Sequence, residues 1–277
     1  MTPERFGVLR LFSIRAQVTL RFDVEETVAV TRVPKILERE PLVDALCEVR
    51  MEASAPLADI LPGILFHKLD PKPTISRLPA AEIPQPMRAG DPALHFAPTQ
   101  RLDWGEYIIA VGDRNVIVSC KLPYPKWPNF KKKILEIIGL IGEVGVAGKV
   151  ERYSVKYVNL IEAPTLAAQI SKIDLAIRIG ALEVTDDHFD MKVHHVEGNT
   201  IHILTVITGA NGRMWNGREA FGVVVDIDSI RNVQPIPFGE FARGLETELE
   251  TLRQSNKLHF FGCLKQETVD EMGPLYE

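Results

Sequence analysis

The sequence predicts an α+β fold in two similarly organised halves, each an antiparallel sheet packed against a long helix. Three observations predict it. Short runs of period-two alternation recur between turn signals. Two long amphipathic stripes follow such runs. A Pro-rich stretch separates elements within the first half, with Pro71, Pro73, Pro79, Pro84, Pro86, Pro92 and Pro98 between residues 69 and 98.

The pattern begins near Val33. Ala45, Cys47, Val49 and Met51 alternate with Leu46, Glu48 and Arg50, which reads as a strand. Ser54 and Pro56 precede a helical stripe of Leu57, Ile60, Leu61, Ile64 and Leu65. Residues 69–98 read as a long irregular connection. Tyr107–Gly112 and Val116–Leu122 read as strands about an Asp113-Arg114-Asn115 turn. A helix over 129–143 carries Phe130, Ile134, Ile137, Ile138 and Ile141, and Gly145 and Gly148 end it. Tyr153, Val155 and Tyr157 then alternate with Arg152, Ser154 and Lys156 in a further strand.

The second half repeats the plan without repeating the letters. Strands are expected at Leu175–Ile179, His188–Val196, Thr200–Thr208 and Phe221–Ile227, with a hairpin turn at Glu197-Gly198-Asn199. A helix over 238–255 carries Phe238, Phe241, Leu245, Leu249 and Leu252, and Leu258–Cys263 ends the apolar pattern. The expected divisions are an N-terminal extension at 1–30, a first half at 31–163 and a second at 164–277. The extension, disordered or the product of a start assigned too early, is expected to be dispensable.

Of the 277 residues, 45% are hydrophobic and 25% charged, which suits a chain with a sizeable core. No apolar run reaches the ~20 residues that span a bilayer. Cys47, Cys120 and Cys263 are few, odd in number and set in apolar stretches, so buried thiols in a reducing compartment are expected, not a disulfide framework. Charge is unevenly spread. Residues 31–163 hold 18 Lys and Arg against 16 Asp and Glu, while 164–277 hold 10 against 17. That asymmetry disfavours a whole-surface nucleic-acid binder and leaves room for a local basic face in the first half.

Strand parity supplies the first candidate site. If Cys47, Val49, Tyr153, Val155 and Tyr157 face the helices, then Glu48, Arg50, Arg152, Ser154 and Lys156 face the other way. Arg50, Arg152 and Lys156 would form a shallow basic platform, because guanidinium forks suit carboxylates and phosphates. The alternatives are an ordinary solvated face, or a face covered by the acidic second half. The loop Gly209–Arg218 offers Arg213, Trp215 and Arg218 as partner contacts; the alternative is a plain hairpin loop.

A metal set, if any, would draw on His188, Asp190, His194, Asp226 and Asp228, since imidazole and carboxylate bind divalent ions. Parity splits the histidine region, however, and Lys192 would sit among the ligands. Asp226 and Asp228, at i and i+2, share a strand face and suit an acid–base pair or a structural strand end. Lys131, Lys132 and Lys133 read as the wet face of a helix, or as a hold on an acidic partner. No nucleophile elbow, Cys-x-x-Cys, His-Glu-x-x-His or kinase signature occurs, and no cofactor is expected.

Four segments, in order, resemble a sporadically distributed family of bacterial proteins with no assigned activity. They are Val33-Pro34-Lys35 through Pro41–Arg50; Tyr124-Pro125-Lys126-Trp127 followed by Glu151–Asn159; Val225-Asp226-Ile227-Asp228; and Leu258-His259-Phe260-Phe261. The match spans about 31–275, and Lys156 departs from it where the pattern has arginine. The resemblance implies a bacterial cytoplasmic protein from an accessory or mobile gene set. The expected function is a non-enzymatic binding or regulatory protein, antitoxin-like or defence-associated, with another protein as partner or a second copy of itself. The alternatives are a metal-dependent enzyme using Asp186–His202, and a nucleic-acid or nucleotide binder using the basic sheet face.

Overall fold

A computed structural model describes residues 33–214 and 216–276. The expectations for residues 1–30 and for Trp215 lie outside the described residues.

The chain opens with β1 (Ile36–Leu37), β2 (Leu42–Ala53) and α1 (Leu57–Lys68). The Pro-rich connection is more ordered than its composition suggests. It holds β3 (Thr74–Arg77), a 3-10 turn at Pro79–Glu82 and α2 (Gln85–Gly90). Proline suits the start of each helical turn, where its missing N–H costs nothing. Then follow β4 (Pro98–Trp104), β5 (Tyr107–Gly112), β6 (Asn115–Cys120), α3 (Trp127–Val144) and β7 (Ala147–Glu162). The second half holds α4 (Leu166–Lys172), β8 (Arg178–Ile179), β9 (Leu182–Glu183), β10 (Asp190–Glu197), β11 (Thr200–Arg213) and β12 (Glu219–Pro237). It ends with α5 (Phe238–Gly262), α6 (Gln266–Glu271) and β13 (Pro274–Leu275).

The fold is α+β, and its main sheet is antiparallel throughout, in the order β10-β11-β12-β7-β2-β6-β5-β4-β3. This departs from the expectation of one sheet per half. β12 pairs with β7 from Gly222↔Glu162 to Pro237↔Lys149, so the sheet crosses the expected boundary near 163 without a break. The reason lies in the backbone. Ending the sheet at β7 would leave that long strand with a row of unpaired N–H and C=O groups.

Both long helices pack on one face. Phe130, Ile134, Ile137 and Ile141 of α3, and Leu245, Leu249 and Leu252 of α5, are fully buried in one core with Cys47, Val49, Tyr153 and Val155. Each such apolar side chain contributes roughly 1.5–3 kcal/mol on burial. The left-handed Gly145 (φ 73°) caps α3; Gly148 instead lies in β7.

Several boundaries differ from the sequence reading; β12, for instance, runs ten residues past the expected Phe221–Ile227. α5 runs to Gly262, because Asn256, Phe260 and Phe261 on its extension are buried. The strand expected at Leu175–Ile179 shrinks to the two-residue β8. The preceding backbone is bound elsewhere: the Asp174 N–H donates to the Cys263 carbonyl, and Ile173 bridges Leu264. Cys47 and Cys120 are buried free thiols, and Cys263 is half-buried and free. Among the described residues, no helix is long and apolar enough to cross a membrane.

Candidate functional site

The strands that bury Cys47, Val49, Tyr153 and Val155 against the helices turn the intervening residues to the opposite face. The register then fixes the neighbours. Arg50 lies opposite Arg152, Glu48 opposite Ser154, and Lys156 opposite Asp228. Structure and parity therefore agree that Arg50, Arg152 and Lys156 share a face. They do not agree on its charge. Glu48, Asp226 and Asp228 stand among the three cations, so the platform is of mixed sign and not basic.

Its contacts are specific. Arg50 Nε donates to Glu48 Oε2 at 2.8 Å, and Asn115 Nδ2 donates to Glu48 Oε1 at 2.9 Å. The Phe96 ring lies 4.3 Å from the Arg50 guanidinium carbon, a cation–π contact. Lys156 Nζ is 2.7 Å from Asp226. The Arg152 guanidinium reaches Asp228 only at 3.6 Å, beyond hydrogen-bond length.

Two like-charged arginines directly opposite each other are unfavourable. Burial, and then the Arg50 charge, push Arg152 below the usual arginine range. Burial pushes Asp226 and Asp228 above the usual carboxylate range, against the pull of Lys156 on the first and Arg152 on the second.

The face is also incompletely bonded. Among the described residues, five buried side-chain polar atoms have no hydrogen-bond partner: Asn115 Oδ1, Arg152 Nε, Asp226 Oδ1, Asp228 Oδ1 and Arg231 Nε. The first four belong to this face; Arg231 lies toward Glu248 of α5. Buried polar groups are otherwise almost always paired. The face thus holds an unpaired donor and unpaired acceptors just beneath its surface, out of reach of solvent.

The other expected contacts fall elsewhere. Arg218 makes a two-point ion pair with Glu162, at 2.7 and 2.6 Å, and Arg213 is exposed. The loop around them is short: β11 runs to Arg213, and the Met214 N–H donates to the Arg218 carbonyl across the turn. Lys131 is tied to α5, with Nζ 3.0 Å from Glu246 and 2.6 Å from Glu250, so the acidic partner it faces belongs to its own chain.

The five residues of the expected metal set are not assembled. β11 separates them: His194 and Asp228 both pair with Ile203, on its opposite sides, and Thr205 stands between Lys192 and Asp226. Asp226 is taken by Lys156. The one group of metal-ligating side chains that converges, among the described residues, is Glu197, His202 and His259, on the helix-covered face. His202 belongs to the expected Asp186–His202 region. Glu197, though not among the expected ligands, lies in the same region, and the hairpin turn expected at Glu197-Gly198-Asn199 brings it back beside His202; no spacing in the sequence links His259 to either. Burial, then the neighbouring His259, push His202 down to about 4, so it is neutral at pH 7.

A cleft with mixed polar and apolar lining, which sequence reading did not find, lies beside β1. It is lined by Glu40, Tyr124, Tyr157, Arg253 and Lys257 among others. The Tyr124 and Tyr157 hydroxyls are 3.1 Å apart. Burial, then Arg253, push Lys257 down to about 8.

No protein-family model matches the chain, and no curated protein matches it.

Proposed function

We propose that the chain is a non-enzymatic binding protein that receives a polar segment of another protein on the sheet face around Arg50, Arg152, Asp226 and Asp228. One observation carries this reading: Arg152 Nε and one oxygen each of Asp226 and Asp228, all buried on the same face, have no hydrogen-bond partner. Such atoms cost stability on their own and gain hydrogen bonds when an arriving partner reorders the side chains that cover them. A polypeptide offers both donors and acceptors, whereas a phosphate backbone offers acceptors and negative charge alone. The mixed sign of the face therefore favours protein over nucleic acid. An antitoxin-like or defence-associated role is the expectation drawn from the missing catalytic signatures and the charge asymmetry of the sequence, and it is compatible with such a face.

Peptide-display selection on the purified full-length protein tests the reading. Selected peptides are expected to bind the wild type and to weaken at least about tenfold on Arg50→Ala/Arg152→Ala, the loss of roughly one charge-assisted hydrogen bond. Hydrogen exchange is expected to show protection of β2, β7 and β12. Undiminished binding to a folded double variant, or protection confined to the α5 side, sinks the idea. Binding of a DNA or RNA duplex that falls steeply with salt would put a nucleic acid in the place of the protein partner.

A further inference from the structure

We propose that Glu197, His202 and His259 form a binding site for a divalent transition metal of the zinc type, with the fourth position open to solvent. The three side chains come from rigid, convergent elements. Glu197 closes β10 and His202 sits early in β11, joined by a tight turn at the left-handed Gly198 (φ 56°). His259 projects from α5, which packs across β12 and β7. Each residue offers one ligand atom, and the three atoms lie within 4.8 Å of one another.

The two spacings from Glu197 suit a metal better than direct hydrogen bonds. Glu197 Oε2 is 3.4 Å from His202 Nε2 and 3.4 Å from His259 Nε2. N–H···O bonds centre near ~2.9–3.0 Å. The edge of a zinc tetrahedron, by contrast, is about 3.3–3.4 Å for bonds of ~2.0–2.1 Å. Two imidazoles and one carboxylate, with a free fourth position, are a zinc donor set.

The surroundings also fit. His202 is 0% exposed, and its Nδ1 is 2.9 Å from Ser229 Oγ, which also accepts an N–H from Asn256 at 2.9 Å. In the tautomer with the proton on Nδ1, Ser229 accepts it and Nε2 keeps its lone pair toward Glu197 and His259. A metal-bound histidine is ordinarily held by such a partner on its other nitrogen. Ser255 Oγ lies 3.0 Å from His202 Nε2 and 3.2 Å from Glu197 Oε2. With the Ser255 proton donated to Glu197 Oε2, which keeps a second lone pair, the single lone pair of His202 Nε2 stays free for an ion. Glu197 is exposed and His259 partly so, which gives an ion a path in from solvent.

The test uses full-length, tag-free protein stripped with a chelator and titrated with ZnCl2 and, separately, CoCl2. The wild type is expected to take up one zinc per chain, to melt at a higher temperature when loaded, and to give the visible bands of four-coordinate cobalt. Glu197→Gln and His259→Ala, at positions more open than His202, are expected to keep the metal-free melting temperature. Each should weaken zinc by more than about tenfold and abolish the cobalt bands. His194→Ala, on the opposite sheet face, should change nothing. The proposal is overturned if the wild type takes up no stoichiometric zinc. It is equally overturned if both folded variants still bind one equivalent with unchanged cobalt bands.

Discussion

The two faces of β7 are a controlled comparison, because one backbone carries both. On one face Tyr153, Val155 and Tyr157 are buried against the helices with apolar neighbours. On the other, Arg152, Ser154 and Lys156 meet Asp226, Asp228, Glu48 and Arg50. The first face is explained by stability alone. The second holds desolvated charges with unpaired atoms, an arrangement that apolar residues would replace at no loss of stability. What a fold retains against its own stability is a reason to look for a partner.

Substitutions can break or sharpen that contrast. The largest effects are expected on the helix-covered face. Ile138→Ala and Leu245→Ala remove nearly or fully buried side chains, and each should cost about 2–5 kcal/mol in denaturant unfolding. An unchanged midpoint in either would mean that face is not the core.

The opposite face should respond with the opposite sign. Burial holds the Asp228 carboxyl above its unfolded value, so the folded chain keeps the proton at pH values where the unfolded chain has released it. The cost of the charge is therefore absent below ~3.9, the unfolded value, and grows as the pH rises from there toward the folded value. Asp228→Asn should raise the thermal midpoint at pH 7, and the gain should vanish as the pH falls toward 3.5. A clear loss at pH 7 would show the Asp228–Arg152 contact to be stabilising and the face to be merely structural.

The smallest effect is expected at Lys131→Ala. Its two ion pairs to α5 involve half-exposed glutamates, and surface pairs are worth at most about 1 kcal/mol. A loss well beyond that, measured by the same denaturant titration, would make the α3–α5 seam a third stabilising region alongside the two faces.

The uneven charge along the chain also finds its place in these contacts. Lys131 of the basic half meets Glu246 and Glu250, and Lys156 and Arg152 meet Asp226 and Asp228. The asymmetry that suggested an external acidic partner is in part spent inside the molecule, where β12 lies along β7.

By itself the sequence determined the elements with strong local period. Tyr107–Gly112 is a strand over the residues its alternation marks, and the two apolar stripes are the buried faces of α3 and α5. It also determined which residues share the charged face, since side-chain direction in a strand depends only on parity. Tertiary structure decided the rest. That the halves share one sheet follows from which strand edge β12 occupies, and no local pattern encodes an edge. That register set Asp228 opposite Lys156, making a candidate metal pair into counter-ions for Lys156 and Arg152. The convergence of His259 with His202, 57 positions earlier in the chain, rests on a helix laid across the sheet. Packing fixes such contacts between distant segments, whereas sequence periodicity reports only what lies within a few residues.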